Sequence, residues 1–333
     1  MKGRREDEMN HAQGSADNHP ETPTIIPSPG LRTRPPLVLV TCAGRSGSKW
    51  MLKMLNFHPQ TLCRNEPNRE GMDPGLADPD ATNWEQRAMD SGAKIGFIDL
   101  APDCVKDYAR GWVKLTRADK LLYSRRVQNM TGRYPEAGYP WFMFNPSKVG
   151  DAQRVMKIIN ARYLICKILE ETDHIPVIHL IRHPGGMLSS WLTRYVPEQN
   201  QNALLVKQRG ILARIHELEP DFKQISGPVE GKDLAELKIW CWRHAQEHML
   251  TLGALHPRYL QVTFEKLSQR PVEIMEPIYT LCGLEYTESI KARIEHETSA
   301  SPEIASAWKN KLSSEHQDLI ERVLNGSVVE QYL

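Results

Sequence analysis

The chain has 333 residues, 40% of them hydrophobic and a quarter charged, with 42 Lys and Arg against 41 Asp and Glu for a formal net charge of +1. That length can bury a full core, as one large or two modest domains. Near-neutral charge gives the whole molecule no strong pull toward nucleic acid or membrane, so anion binding would have to come from local placement of charge. No stretch approaches the ~20 apolar residues of a membrane helix, and the charged opening MKGRREDEMN has no apolar run behind it of the kind a signal peptide needs. The six cysteines, Cys42, Cys63, Cys104, Cys166, Cys241 and Cys282, form no C-x-x-C pair and no zinc-ligand spacing with histidine. They read as reduced thiols in a soluble, cytoplasmic protein.

Residues 1 to 35 are rich in Pro, Gly, Ser, Asn and Asp with almost no apolar pattern, a composition that cannot offset its own ordering entropy; a flexible tail is expected, followed by a single domain over 36–333. Order begins at PPLVLVTCAG. Leu37 to Val40 is a continuous apolar run, as in a strand buried on both faces of a parallel sheet. A loop rich in glycine and serine follows, then a helix pattern carrying Trp50, Met51, Met54 and Leu55 that His58 and Pro59 stop. Downstream, RVMKIINARYLICKILEE has helical spacing, and from that helix Lys157 and Arg162 could reach a site. A second strand–loop–helix unit comes next: the strand Val177 to Ile181, the turn Arg182-His183-Pro184, and a helix with Met187, Leu188, Trp191 and Leu192. RYLQVTFEKL is a late strand candidate, and Pro271 opens a helix that ends at Gly283. The last helix is expected to start at Ser314, with Gln317 as its capping-box partner, and to end at Gly326. Alternating strands and helices predict an α/β fold with three layers, a central, mostly parallel sheet flanked by helices.

The loop VTCAGRSGSKW asks for more than a turn. Ligands of open parallel sheets bind at the carboxyl ends of strands, where a helix N-terminus offers unpaired N–H groups and a partial positive charge. Gly44 and Gly47 permit close backbone approach, Ser46 and Ser48 supply hydroxyls, and Arg45 and Lys49 supply charge. The nucleotide-triphosphate motif G-x-x-x-x-G-K-[ST] is absent, because Lys49 is followed by Trp50 and not by a hydroxyl for Mg²⁺. In IRHPGGMLSSW, Arg182 ends a strand and Ser190 lies eight residues later on the following helix, so both side chains could hold one further phosphate. Each unit alone could be structural. Two such anion-ready units in one sheet argue against chance.

At these residues the chain resembles the sulfotransferases that use 3′-phosphoadenosine 5′-phosphosulfate (PAPS), in particular soluble bacterial and carbohydrate-type members, with a P-loop-like fold. GRSGSKW is similar to that family's 5′-phosphosulfate loop, and HLIRHPGGMLSSW to its 3′-phosphate segment. NEPN, Asn65 to Asn68, resembles the Glu-Pro after the first helix, VTFEKLSQRP the late strand and helix start, and AWKNKLSSEHQDLI the closing Trp-Lys segment. The resemblance implies PAPS as donor and 3′,5′-adenosine bisphosphate (PAP) as product. It implies nucleotide contacts from Gly44, Arg45, Ser46, Gly47, Ser48, Lys49, Trp50, Arg182, Ser190 and Lys309, and a catalytic carboxylate at Glu66. His183 stands where Asp is common and Lys49 where Thr is usual. Arg45 and Lys49 are both candidates for the cation at the transferred group, and Glu66 and His183 for the base.

Sulfuryl transfer in line needs positioning, charge neutralisation and a base; cationic side chains can neutralise, so no metal is expected. The acceptor is expected to be a small molecule or saccharide-like compound bearing a hydroxyl, less readily an amine. A basic stretch with Lys106, Arg110, Lys114, Arg117, Lys120, Arg125, Arg126 and Arg133 is a solvated face or an acceptor-side surface, and specificity would lie in 70–150 and 195–232. His244, Glu247 and His248 share a helix without the H-E-x-x-H order or a third ligand, so packing is expected of them. Two other readings stay open: a P-loop kinase, and a nucleotide- or RNA-binding module that uses the basic stretch. A homodimer is left open.

Overall fold

A computed structural model describes residues 37–66, 152–196, 201–298 and 302–332. The tail, the basic stretch 106–133 and the acceptor segment 70–150 lie outside the described residues.

Among the described residues five strands form one sheet: β1 Leu37–Cys42, β2 Thr61–Asn65, β3 Gln153–Ile159, β4 Val177–Ile181 and β5 Tyr259–Thr263. Their order is β2-β3-β1-β4-β5, with every pairing parallel. β1 is fully buried, and its side chains divide by period two. Val38, Val40 and Cys42 join one core with α1 (Ser48–Leu55), while Leu37 and Leu39 join another with α2 (Arg162–Glu171). Both faces are therefore covered by helices, which is why the strands read as unbroken apolar runs. A third core joins α3 (Pro184–Tyr195), α4 (Gln201–Leu218), α5 (Pro220–Ser226), α6 (Leu234–Gly253) and the late α11 (Ser314–Leu324). Between α6 and α11 come α7 (Phe264–Gln269), α8 (Pro271–Leu281), α9 (Glu288–Thr298) and α10 (Pro302–Ser306). Among the described residues no helix is long and apolar enough to cross a membrane.

The three-layer α/β prediction agrees with this architecture, and the strand order sets where a site can form. β3 and β4 flank β1 on opposite sides. The chain thus changes direction across β1, and the loops after β1 and β4 meet over the crevice.

Two local expectations are corrected. The segment from Arg154 to Ile159 is strand, not helix: Val155, Ile158 and Ile159 are β-branched, and Asn160 at φ 52° ends the strand before α2 begins at Arg162. The last helix is capped by Ser313, whose hydroxyl accepts from the His316 N–H at 3.3 Å, one residue earlier than expected.

Candidate functional site

The β1–α1 loop turns on two left-handed residues, Arg45 at φ 75° and Gly47 at φ 82°. Such a backbone aims successive N–H groups into one concavity, the geometry of an anion nest. Gly47 is required twice over: its φ suits glycine, and a Cβ there would lie 2.3 Å from the Phe264 ring. Between these residues Ser46 is fully buried, and its Oγ has no hydrogen-bond partner among the described residues. Asn160 steadies the loop by accepting the Gly44 N–H at 3.2 Å. Ser48 is buried, whereas Lys49 is exposed on the first turn of α1 beside the half-buried Trp50, whose ring meets Phe264 edge-on.

The β4–α3 turn interlocks with this loop. Arg182 donates from Nη1 to the Arg45 carbonyl at 2.9 Å and weakly from Nη2 to the Ile304 carbonyl at 3.4 Å. Its guanidinium lies 4.6 Å from the Phe264 ring centroid, and its buried Nε has no partner among the described residues. Burial lowers the Arg182 pKa, with the Glu265 charge opposing and the Arg45 charge reinforcing. Arg45 in turn donates from Nε to the Ser190 Oγ on α3 at 3.0 Å. The two predicted anion-binding units are thus one connected structure.

His183 is drawn into the turn. Its Nδ1 accepts the Gly185 N–H at 3.0 Å and caps α3, and its ring stacks on Trp308 at 4.2 Å. Burial, then the Lys309 and Arg182 charges, lower its pKa to about 4, so the imidazole is neutral at physiological pH. Lys309 is exposed next to Trp308, its Nζ 5.9 Å from that ring.

Glu66 follows β2 in a left-handed conformation, φ 54°, and is 3% exposed. Its N–H donates to the Lys157 carbonyl at 2.7 Å, and Lys157 Nζ donates to its Oε1 at 2.5 Å. The pair reaches the loop electrostatically. Burial pushes the Cys42 thiol up to about 11, the Lys157 charge and a hydrogen bond with Ser48 pull it down, and the Glu66 charge pushes it up again. Lys157 therefore comes from a strand and not from a helix.

Arg162 points elsewhere. Its Nη1 lies 2.5 Å from His244 Nε2 and 3.2 Å from His248 Nδ1, and its Nη2 donates to Glu219 Oε1 at 2.7 Å, while His244 Nε2 also lies 2.7 Å from Glu219 Oε2. Glu219, His244 and His248 bring three donor atoms within 4.8 Å of one another, and all three side chains lie within hydrogen-bond distance of the Arg162 guanidinium. Glu247, the acid that spacing offered, pairs instead with Arg243.

Sequence reasoning missed Asn160, Phe264 and Glu265. Asn160 carried one signal, a residue tolerant of left-handed backbone directly after an apolar run; Phe264 and Glu265 lay inside a recognised segment with no sign of what they touch.

Among solved structures, the chain is similar to the sulfotransferase domain of the Synechococcus PCC 7002 olefin synthase at 17% identity and TM-score 0.42, over 87% of this chain and 95% of that one. It is similar to mouse sulfotransferase SULT7A1 complexed with PAP at 11% identity and TM-score 0.40, over 89% and 86%. A third similar structure is retinol dehydratase in complex with retinol and PAP, at 13% identity and TM-score 0.39, over 89% and 83%. No curated protein matches the chain. The profile of the sulfotransferase family matches residues 36–288, and the chain belongs to that family.

Proposed function

We propose that this sulfotransferase takes its sulfuryl group from PAPS and places it on a hydroxyl of a small-molecule or saccharide-like acceptor. One observation carries the donor: the two anion-ready loops are joined through Arg182 Nη1 to the Arg45 carbonyl and Arg45 Nε to Ser190 Oγ. The buried Ser46 Oγ and Arg182 Nε, without partners among the described residues, fit a ligand with an anion at each end. PAPS, when bound, supplies an activated sulfuryl group on a phosphate leaving group. The left-handed loop with Ser46, Gly47 and Ser48 would hold its 5′ end, and Arg182 with Ser190 its 3′-phosphate. Arg45 and Lys49 flank the 5′ loop and provide positive charge where the leaving phosphate gains negative charge.

Glu66 is the proposed base. It is buried beside the loop, pinned by Lys157, and held in a conformation that costs about 1–3 kcal/mol for a residue other than glycine. His183 is less suited, since its Nδ1 is committed to the Gly185 N–H. The reading needs no metal, places the protein in the cytoplasm, and treats 36–333 as one domain.

Calorimetric titration with PAP, and with ATP·Mg²⁺ alongside, tests the donor. Tight PAP binding that Arg182→Ala and Arg45→Ala each weaken, Arg182→Ala by about 10²-fold, is expected; response to ATP·Mg²⁺ alone would return the loop to the kinases. In turnover assays with PAPS, run in EDTA over an acceptor panel, Glu66→Gln should lose roughly 10²–10⁴-fold in rate with PAP affinity unchanged.

A further inference from the structure

The β5–α7 corner touches both anion loops, and register explains why. Ile181 at the end of β4 pairs with Thr263 at the end of β5, so the next residues of each strand, Arg182-His183 and Phe264-Glu265, leave the sheet side by side. Thr263 caps α7 by accepting the Lys266 N–H, which fixes the turn. Phe264 then lies under the Arg182 guanidinium at 4.6 Å and against Gly47 of the other loop. Glu265 accepts the His183 N–H at 3.0 Å, and its charge acts on Arg182.

Arg182 has little else to aim it. Its hydrogen bonds go to two carbonyls, one of them long, and a Cβ at Gly186 would press within 2.7 Å of its Nε. The guanidinium therefore rests on an aromatic face, with the peptide behind it held by one carboxylate oxygen.

We propose that Glu265 and Phe264 are the positioning pair of Arg182, and that through Arg182 they set affinity for the 3′-phosphate of the nucleotide, Glu265 without contributing to recognition of its 5′ end. This rests on the PAPS reading above. Glu265 fixes the Arg182–His183 turn through the His183 N–H, while Phe264 fixes the plane of the guanidinium. Neither residue need touch the nucleotide for this role.

The test compares PAP with adenosine 5′-monophosphate, which lacks the 3′-phosphate, by calorimetry on the full chain. Glu265→Ala should weaken PAP by about 10-fold, as expected for loss of a charge-assisted hydrogen bond, and leave the monophosphate within about 2-fold. Glu265→Gln should recover most PAP affinity, because its amide oxygen can still accept the His183 N–H. Phe264→Leu should weaken PAP by about 5-fold, the scale of one cation–π contact. Equal losses for both nucleotides, or no loss for PAP, would overturn the proposal and leave the donor reading standing. A wild-type chain that does not prefer PAP to the monophosphate would sink both. Should Glu265→Ala fail to fold, Glu265→Asp withdraws the acceptor by one methylene and must show the same selective loss; unchanged PAP affinity there overturns the assignment.

Discussion

Two buried arginines follow neighbouring strands on either side of β1, and their surroundings differ. Arg162, after β3, donates to a carboxylate and lies against two imidazoles. Arg182, after β4, has no carboxylate within ion-pair distance among the described residues, reaches two carbonyls, and keeps a buried Nε without a partner. A buried guanidinium is costly unless its charge and its donors are met. Arg162 is met inside the protein and ties α2, α6 and the α4–α5 junction together. Arg182 is only partly met, which suits an anion brought from outside. The same residue type serves as a strut in one place, and in the other it is the receptor that the proposed function calls for.

The broadest way to break this contrast is acid, because it strikes both regions. His244, beside Arg162, and His183, beside Arg182, each have a folded pKa of about 4, lowered first by burial and then by neighbouring cations, against an ordinary 6.5. Between those values the unfolded chain binds more protons, so stability is fully present above about pH 6.5 and is lost as pH falls toward 4. Each imidazole contributes up to roughly 3 kcal/mol. Urea midpoints that stay flat over that window would show both rings charged in the fold. Glu219 works in the same direction at lower pH: burial pushes its pKa up, but the Arg162 and His244 hydrogen bonds outweigh that and hold it below the usual range.

Arg162→Ala should cost about 3 kcal/mol of stability, since it strands the Glu219 carboxylate; Arg182→Ala should change the unfolding free energy from urea titration by less than about 1 kcal/mol, having no such partner to strand. In PAP titrations the order reverses. Arg182→Ala should lose about 10²-fold in affinity, the worth of a charged, desolvated contact, while Arg162→Ala, once folded, should bind as the wild type does. The smallest effect expected is Ser190→Ala, which removes one hydroxyl bond from Arg45 and should weaken PAP by about 5-fold. An Arg162→Ala chain that is stable but cannot bind PAP would invert the comparison.

β1, β4, β5 and both anion loops were legible because their signals are local, whereas β2 was not read as a strand. Leu37–Val40 and Val177–Ile181 are apolar runs that end at turn residues. β3 was not, because a lysine inside an apolar run gives RVMKII a helical spacing, and only the Glu66 carboxylate explains why that charge is tolerated there. The partner of His244 and His248 was also hidden. Glu247, their neighbour in sequence, turns to Arg243, while Glu219 arrives from the α4–α5 junction.

By itself, the chain's order of apolar runs, glycines and hydroxyls determined the α/β layering and the two turns after β1 and β4, since backbone conformation and burial periodicity act over a few residues. Tertiary structure alone decided which charges meet. The β4–β5 register put Glu265 behind His183, and the β2–β3 register put Lys157 beside Glu66. Electrostatic partners are chosen by distance in space, and a parallel sheet brings together residues that the sequence keeps about 80 or 90 positions apart.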